Sequence, residues 1–306
     1  MRVVIVGGAG FIGRALAGTL AARGVQTQVW DTAGRLATAR HALAGSTTRA
    51  FDFTGDRVPD GALDGLDALV HLGCTTNPAH SMGTMAYDAA SNIAPSLRLF
   101  DAAAAAGVPR VIFASSGGTV YGAPSRLPVV ETDTTEPLSA YGVSKLAIER
   151  YLALYPLCGV SLRIANPYGA YQLSGTTVGV IARYVAAVRA GRPLEVWGDG
   201  SVVRDYIAID DVVAAFEQAL VTPVLAPGPY NIATGIGCSI NDIIAAVSNV
   251  SGRAPEVRYL AGRAYDVPAI VLDCARFRHA TGWAPRTSLQ DGIAALWRVA
   301  AERSAD

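Results

Sequence analysis

The sequence lacks an excess of charge of either sign, because 25 lysines and arginines balance 25 aspartates and glutamates over 306 residues. Such a chain has no global field that would attract nucleic acid or an anionic membrane. It also lacks an uncharged apolar run of 18 residues, and its initiator methionine leads directly into an apolar run and a glycine turn. We therefore expect a cytoplasmic protein that binds neither nucleic acid nor membrane.

Cysteine is scarce and widely spaced. The chain has four cysteines, no CxxC motif and no histidine at metal-ligand spacing from them: Cys74, Cys158, Cys238 and Cys274. Isolated cysteines in a cytoplasmic chain are typical of free thiols. The pattern predicts neither a disulfide framework nor a metal site.

The sequence does contain a regular alternation of short apolar runs and longer segments of helical period. Residues 2–7, 67–73 and 110–116 have the length of buried strands, whereas 11–24 and 91–107 have the period of helices. Strand and helix in repeated alternation are typical of a parallel sheet covered on both faces. We predict an α/β fold, a doubly wound, Rossmann-like parallel sheet with a smaller C-terminal lobe.

A glycine turn follows the first predicted strand. In VVIVGGAGFIG, Gly7, Gly10 and Gly13 lie between this strand and the first helix. Glycines at these places permit a tight turn, a close approach to a pyrophosphate and close packing of a helix whose N-terminus faces the anion. The turn predicts a dinucleotide-binding site.

The acidic residue at the end of the second predicted strand indicates which dinucleotide binds. Asp31 follows the turn by roughly 20 residues, where a carboxylate accepts hydrogen bonds from the adenosine ribose and repels a 2′-phosphate. This favours NAD, and the nearby Arg35 leaves NADP as the alternative. Asp52, at the next predicted strand end, is either a contact at the adenine rim or only a turn former.

A tyrosine and a lysine lie four residues apart in YGVSK. Tyr141 and Lys145 therefore share one helical face, with the ammonium group one turn from the phenol. A phenol titrates near ~10, and a neighbouring cation, from Lys145 or from a bound nicotinamide ring, favours its ionised form. The pair predicts a group that takes and returns a proton.

Together these motifs resemble the extended short-chain dehydrogenase/reductase family, particularly its nucleotide-sugar 4-epimerases. The resemblance runs from Arg2 to about Trp297, and it includes the SS…VYG stretch before Tyr141 and the segments HLG (71–73), NPYG (166–169), WGDGSVVRDYIAIDD (197–211) and GRAYDVP (262–268). It implies NAD as the cofactor and a nucleotide-diphosphate sugar as the ligand.

The resemblance also implies how the chain is divided and assembled. Residues 1–165, with about 203–232, would form the NAD-binding domain, and 166–202 with 233–306 the nucleotide-sugar-binding lobe. A homodimer would form through helices near 91–107 and 141–154.

The family's functional residues can be placed on matching positions of this sequence. Tyr141 becomes the acid/base, and Lys145 its electrostatic partner and ribose ligand. The implied cofactor-binding residues are Gly7, Gly10, Phe11, Ile12, Gly13, Asp31, Asp52, Phe53, Leu72, Gly73, Asn92, Ser115, Tyr141, Lys145 and Pro167. The implied nucleotide-sugar ligands are Asn166, Arg204, Arg263 and Asp266, with Trp197 either flanking the nucleobase or filling core.

One expected catalytic hydroxyl is missing from the sequence. The family places a serine or threonine three residues before the valine of TVYG, and here that position is Gly117. Ser116 and Thr119 flank it, and either could donate to the substrate oxygen, with Ser116 preferred. The alternative is that Ser116 only orders the nicotinamide and that Tyr141 works without a helper.

The same stretch indicates the reaction type. Dehydratases and decarboxylating members of the family carry an acid in the two positions before this valine, because eliminations need extra acid/base groups. Here those positions hold Gly118 and Thr119. The expected reaction is epimerisation at carbon 4 through a 4-keto intermediate, of the UDP-glucose/UDP-galactose type. The alternatives are a nucleotide-sugar 4-ketoreductase and a non-catalytic dinucleotide sensor.

The segment 164–182 is expected to line the sugar side of the pocket, and it contains neither lysine nor arginine. Its hydrogen-bonding groups are the neutral side chains of Tyr171, Gln172, Ser174, Thr176 and Thr177. A buried uronate carboxylate would need a cation or several donors nearby. A neutral hexose is therefore predicted, although Arg183 stands at the edge of the segment.

Overall fold

The structure is a computed structural model that describes residues 1–174, 179–262 and 267–302. Within these ranges, none of the helices combines the length and the apolar character needed to span a bilayer. The four cysteines are free thiols.

The elements follow one another in the predicted alternation. The strands are β1 (Arg2–Val6), β2 (Gln26–Asp31), β3 (Thr47–Ala50), β4 (Ala68–His71), β5 (Arg110–Ser116), β6 (Cys158–Ile164), β7 (Asn166–Tyr168), β8 (Leu194–Trp197), β9 (Val203–Ala208), β10 (Gly228–Ile232), β11 (Gly237–Ser239), β12 (Val257–Leu260) and β13 (Ala269–Ile270). The α-helices are α1 (Phe11–Ala22), α2 (Ala33–Ala39), α3 (Pro78–Ser81), α4 (Met85–Ala105), α5 (Gly117–Val120), α6 (Ala140–Leu152), α7 (Val180–Arg189), α8 (Ile209–Val221), α9 (Ile240–Ser251), α10 (Ala275–Thr281) and α11 (Leu289–Glu302).

The main sheet has seven strands in the order β3-β2-β1-β4-β5-β6-β10, and all of its pairs are parallel. The strand order reverses between β1 and β4. In open parallel sheets, ligands bind at such a reversal, outside the carboxyl ends of the strands. The glycine turn after β1 and the residues after β4 and β5 lie at this edge.

Both faces of the main sheet are buried. Along β1, Val3 and Ile5 pack into one apolar core and Val4 and Val6 into another, and each of the four is at most 1% exposed. Because successive strand residues point to opposite faces, this run of four buried apolar residues requires cover on both sides. The doubly wound α/β fold predicted from the sequence is confirmed.

A second group of strands lies beside the carboxyl edge. β9 pairs with β7, β11 and β13, while β8 pairs with β12. Helices α7, α9 and α11 pack together, and the apolar core of this lobe includes Ile181, Val185, Ile243 and Leu296. In the predicted division of the chain, β9 and β10 were both assigned to the NAD-binding domain. β10 pairs with β6 at the edge of the main sheet, and the division itself stays a prediction.

Candidate active site

The glycine turn forms a tight cradle at the start of α1. Gly7 has a φ of +78°, a conformation that favours glycine, and a Cβ there would lie 2.6 Å from the backbone nitrogen of Gly73. A Cβ on Gly13 would overlap the backbone of Gly8. Gly10 is the N-cap of α1 and has no side chain to cap it, so the first amides of a 12-residue helix remain available to an anion.

Asp31, the last residue of β2, lies beside the glycine turn. It is only 6% exposed, and its carboxylate accepts the amide of Ala9 at 3.0 Å and that of Thr32 at 2.9 Å. The guanidinium of Arg35 approaches the same carboxylate, with 3.5 Å between Nε and Oδ1. Both carboxylate oxygens are therefore held in place by the chain.

Two adjoining clefts follow the carboxyl edge of the sheet. The first, of about 250 Å³, extends from the glycine turn to Tyr141, and the second, of about 280 Å³, lies over Asp31. Every predicted cofactor residue except Asn92 lines one of them. The first is lined by Gly7, Gly10, Phe11, Ile12, Gly13, Leu72, Gly73, Ser115, Tyr141, Lys145 and Pro167, and the second by Gly7, Asp31, Asp52, Phe53 and Gly73.

Asn92 lies behind the clefts rather than in their walls. Its Oδ1 accepts the amide of Thr75 at 3.0 Å, and its Nδ2 donates to the carbonyl of Asp88 at 2.9 Å. The side chain thus fastens the loop after β4 to α4. A direct contact between Asn92 and the cofactor stays a prediction.

The tyrosine and the lysine are brought together as their spacing predicts. Ser139 caps α6 by accepting the amide of Gly142, which places Tyr141 in the first turn of the helix. The Nζ of Lys145 donates to the carbonyl of Ala114 at 2.8 Å and lies 5.5 Å from the centroid of the Tyr141 ring. Lys145 is 4% exposed, so its charge acts on the phenol in a poorly solvated place.

The stretch around Gly117 places one hydroxyl at the phenol. Ser116 ends β5, does not cap α5 with its side chain, and is a hydrogen-bond partner of the Tyr141 phenol. The Thr119 hydroxyl instead donates to the carbonyl of Ser116 at 3.4 Å. A Cβ on Gly117 would overlap the side chain of Leu272, so position 117 faces the core. The structure therefore places the Ser116 hydroxyl, rather than that of Thr119, beside the phenol, and the helper role of either residue stays a prediction.

The Tyr141 phenol is held in its neutral form when nothing is bound beside it. Burial raises its pKa, the Cys74 thiol and the Asp88 carboxylate raise it further, and the hydrogen bond from Ser116 lowers it. A bound cation in the cleft would favour the phenolate. The site therefore makes ionisation of Tyr141 depend on what occupies the cleft.

Buried polar residues support the end of β5. Ser115 donates to Glu149 on α6, and Glu149 pairs with Arg163 on β6. Arg163 also donates to the hydroxyl of Tyr121 at 2.9 Å. These contacts join β5, β6 and α6 directly behind Ser116 and Tyr141.

Three of the predicted nucleotide-sugar residues lie on the second group of strands. Asn166 starts β7 and donates to the carbonyl of Asp205 at 3.1 Å. Arg204, on β9, donates to the carbonyls of Val203 and Val267, and Trp197 ends β8 with 39% of its surface exposed. Arg263, Asp266, Thr176 and Thr177 lie outside the described residues.

Comparison with protein-family models gives one match. Residues 3–233 match the model of the NAD dependent epimerase/dehydratase family. The chain belongs to this family. The family assignment drawn from the sequence is confirmed, and so is NAD as the cofactor.

Individual proteins resemble the chain over almost its whole length. A UDP-glucose 4-epimerase of Mycolicibacterium smegmatis is 34% identical over 96% of each chain. A dTDP-4-dehydro-6-deoxyglucose reductase of Escherichia coli is 29% identical over 95% of each. The protein MoeE5 has been solved with NAD and UDP-glucuronic acid, at 28% identity, a TM-score of 0.88, and coverage of 99% of this chain and 100% of that one. It has also been solved with NAD and UDP-glucose.

These matches confirm the predicted enzyme class, an NAD-dependent nucleotide-sugar 4-epimerase of the extended short-chain type. The matched proteins were named for, or solved with, different sugars, so they do not identify the sugar on which this chain acts. Cys74, for which the sequence predicts only a free thiol, directly follows the HLG motif and lines both clefts. Its position after that motif was the available signal.

Proposed function

We propose that the protein interconverts UDP-glucose and UDP-galactose by oxidation and re-reduction at carbon 4. The observation that carries this proposal is the contact of Tyr141 with Ser116, beside Lys145, in a cleft that opens from the glycine turn. A tyrosine held this way can take the proton of a sugar hydroxyl and return it.

The residues present fit a bound dinucleotide. The uncapped start of α1 and the close approach permitted at Gly7 and Gly10 suit a diphosphate. Asp31 suits an unphosphorylated adenosine ribose. When bound, NAD supplies the hydride acceptor and donor for carbon 4.

The chain's own residues move the proton and hold the sugar. Tyr141 takes the proton of the 4-hydroxyl as carbon 4 is oxidised, with Lys145 stabilising the phenolate and Ser116 donating to the same substrate oxygen. After the 4-keto sugar has turned in the pocket, its carbon 4 presents the other face for reduction, and Tyr141 returns the proton to the 4-oxygen. Net redox is zero, so the cofactor need not leave.

The groups around Tyr141 favour this reaction over an elimination. Gly118 offers no acid, and a Cβ there would lie 3.8 Å from the Asn166 side chain, on the sugar side of the turn. The neutral hydroxyl of Thr119 is bonded to the Ser116 carbonyl. Among the described residues lining the first cleft, Tyr141 and Lys145 are the groups suited to proton transfer from an alcohol.

Nucleotide-sugar binding is assigned to the smaller lobe. We propose that Asn166 and Arg204 hold the diphosphate, together with Arg263 and Asp266, and that Trp197 flanks the base. The base and sugar of the Mycolicibacterium relative's name support UDP-glucose first. The protein is expected to act in the cytoplasm.

A nucleotide-sugar 4-ketoreductase is the second candidate, favoured by the similarity to the Escherichia coli reductase. It would use the same Tyr141 and Lys145 but would exchange its cofactor at every turnover. Asp31 opposes this alternative if the reductant is NADPH, because a carboxylate repels the 2′-phosphate.

The deciding assay mixes desalted protein with UDP-galactose and no added cofactor. Formation of UDP-glucose, together with about one retained NAD per chain, is the expected result. Tyr141→Phe should retain NAD and lose roughly 100- to 10,000-fold in turnover. Tyr151→Phe on the same helix, where the side chain is 45% exposed, is the matched control and should keep full activity. Activity only with added NADPH and a 4-keto sugar would identify the reductase instead.

We also propose that the protein is a homodimer formed through α4 and α6. These helices and the turn that follows α6 expose large apolar side chains, from 45% to 78% exposed: Met85, Tyr87, Val143, Tyr151 and Leu154. Apolar patches of this kind often mark protein interfaces. Sedimentation of a monomer at micromolar concentration would exclude the dimer.

A further inference from the structure

A buried carboxylate lies behind the Tyr141–Lys145 pair. Asp88, in the first turn of α4, is 0% exposed. Asp88, Tyr141 and Lys145 line the same closed space between α4 and α6, with Cys74 at its cleft side. Asp88 is not among the site residues that the family motifs predict.

The partners of Asp88 are neutral. Its carboxylate accepts the hydroxyl of Ser144, which stands on α6 between Tyr141 and Lys145, and the hydroxyl of Thr76 from the loop after β4. The amide of Asn92 approaches at 3.4 Å. Within the described parts of the chain, no cation lies at salt-bridge distance from it.

A buried ionised group is costly unless positive charge compensates it. The positive charges that could compensate it are Lys145, which lines the same closed space, and, in the loaded enzyme, the nicotinamide ring that the first cleft would hold. The two hydroxyl groups and the amide that contact the carboxylate are neutral donors, so they bind it without cancelling its charge. Its field therefore acts on the phenol across the junction of α4 and α6.

We propose that Asp88 is a positioning residue that fixes the α6 turn through Ser144 and places a negative charge behind Tyr141, so that the phenol ionises only with the oxidised cofactor in place. This inference rests on the proposed role of Tyr141 as acid/base. The reduced cofactor would lack the ring's positive charge, so the Asp88 charge would then hold Tyr141 in its protonated form until carbon 4 is reduced again.

The groups facing Tyr141 come from four elements. They are Cys74 after β4, Asp88 on α4, Ser116 at the end of β5 and Lys145 on α6. His71 on β4 faces Lys145 and is buried, and burial followed by the charge of Lys145 lowers the pKa of His71 to about 3. His71 is therefore neutral in the working range, so the groups here that raise the pKa of Tyr141 through charge are Cys74 and Asp88.

The test measures ionisation of Tyr141 directly in NAD-loaded protein, by NMR of labelled tyrosine across pH and without substrate. Asp88→Asn should lower the pH of half-ionisation by about one unit, because removal of a nearby negative charge favours the phenolate. The acidic limb of the pH profile of kcat should also shift to lower pH. Asp101→Asn, which removes an exposed carboxylate from the same helix, should move neither.

Two further variants separate charge from shape. Asp88→Ser removes the same charge with a smaller side chain and should give the same downward shift, and it replaces Asp88→Asn if that variant does not fold. Ser144→Ala keeps the charge and should not lower the pH of half-ionisation. An unchanged tyrosine titration in the folded Asp88 variants would overturn the inference. Undiminished turnover in Tyr141→Phe would instead overturn the proposed function, because the titration requires no catalysis.

Discussion

Arg163 and Glu149 form a buried ion pair, with 2.7 Å between Nη2 and Oε2 and side-chain exposures of 2% and 5%. A second contact, from Nε of Arg163, reaches both carboxylate oxygens at 3.1 Å. Glu149 also accepts the hydroxyl of Ser115, the residue before Ser116. The pair therefore ties α6, which carries Tyr141, to the strand end that carries its proposed helper.

Glu149→Gln should destabilise the fold because it leaves the Arg163 guanidinium buried without a counter-charge. Breaking a buried pair in this way costs about 3–5 kcal/mol. Thermal or urea unfolding of the NAD-loaded protein provides the measurement. The matched control is Glu256→Gln, which breaks the exposed pair with Arg258 and should cost less than about 1 kcal/mol. Equal losses in the two variants would mean that the buried pair contributes no more than a surface pair.

Ser116→Ala should cost more activity than Thr119→Val. Removal of a hydroxyl donor that acts on the reacting oxygen typically costs about 100-fold or more in turnover. Thr119 donates to a backbone carbonyl, so its replacement by the isosteric valine should leave kcat within a few-fold of wild type. Steady-state kinetics with UDP-galactose and UDP-glucose decide the matter. Small, equal effects would support the alternative in which Tyr141 needs no helper.

The fold and most of the cofactor cleft were predictable because their signals are local. The two buried faces of β1, the glycine turn and the Tyr141–Lys145 spacing are each contained in short stretches of sequence. The helper hydroxyl was less predictable: Ser116 was preferred and Thr119 stayed open, since the choice depends on where β5 ends and on the approach of Leu272 to Gly117. Such long-range contacts follow from tertiary packing rather than from residue spacing.

The buried acids illustrate the same limit. Asp88 meets Ser144 across 56 residues, and Ser115 meets Glu149 across 34. In the sequence each acid is one polar residue in a helical pattern, where an exposed position is the ordinary expectation. Only the packing of α4 and α6 shows that both lie inside the protein.

Asp31→Ser should relax the choice between NAD and NADP. The carboxylate that repels a 2′-phosphate disappears, while Arg35, which lines both clefts, remains. The dissociation constant for NADP divided by that for NAD should fall by at least about tenfold. This factor corresponds to about 1.4 kcal/mol. Titration of cofactor-free protein with each dinucleotide gives the ratio.

Adding Arg35→Ala to Asp31→Ser tests the arginine. If Arg35 binds the 2′-phosphate, the double variant should lose the NADP binding that the single variant gained and should keep its remaining affinity for NAD. A ratio that stays the same in Asp31→Ser would show that selection between the cofactors does not depend on this carboxylate.

The last prediction concerns the sugar. The described residues of the expected sugar side include Tyr171, whose ring lies 5.2 Å from the Arg14 guanidinium, and Gln172, which donates to the carbonyl of Pro167 at 3.2 Å. Arg183, the cation at the edge of this segment, lies on α7 with its guanidinium 5.5 Å from the centroid of the Tyr184 ring. The neutral groups of this segment suit the 6-hydroxymethyl of a hexose, whereas a uronate carboxylate buried among them would need a counter-charge from outside residues 164–182.

UDP-galactose should therefore exceed UDP-glucuronate in kcat/KM by roughly 100-fold, because an unpaired buried charge costs about 3 kcal/mol or more. Competition between the two sugars, followed by separation of the products, measures the ratio. Arg183→Gln is the companion variant. It should leave kcat/KM unchanged for both UDP-galactose and UDP-glucuronate if the arginine only packs on Tyr184. A preference for the uronate that disappears in Arg183→Gln would show that this cation reaches carbon 6 and that the pocket is built for an acidic sugar.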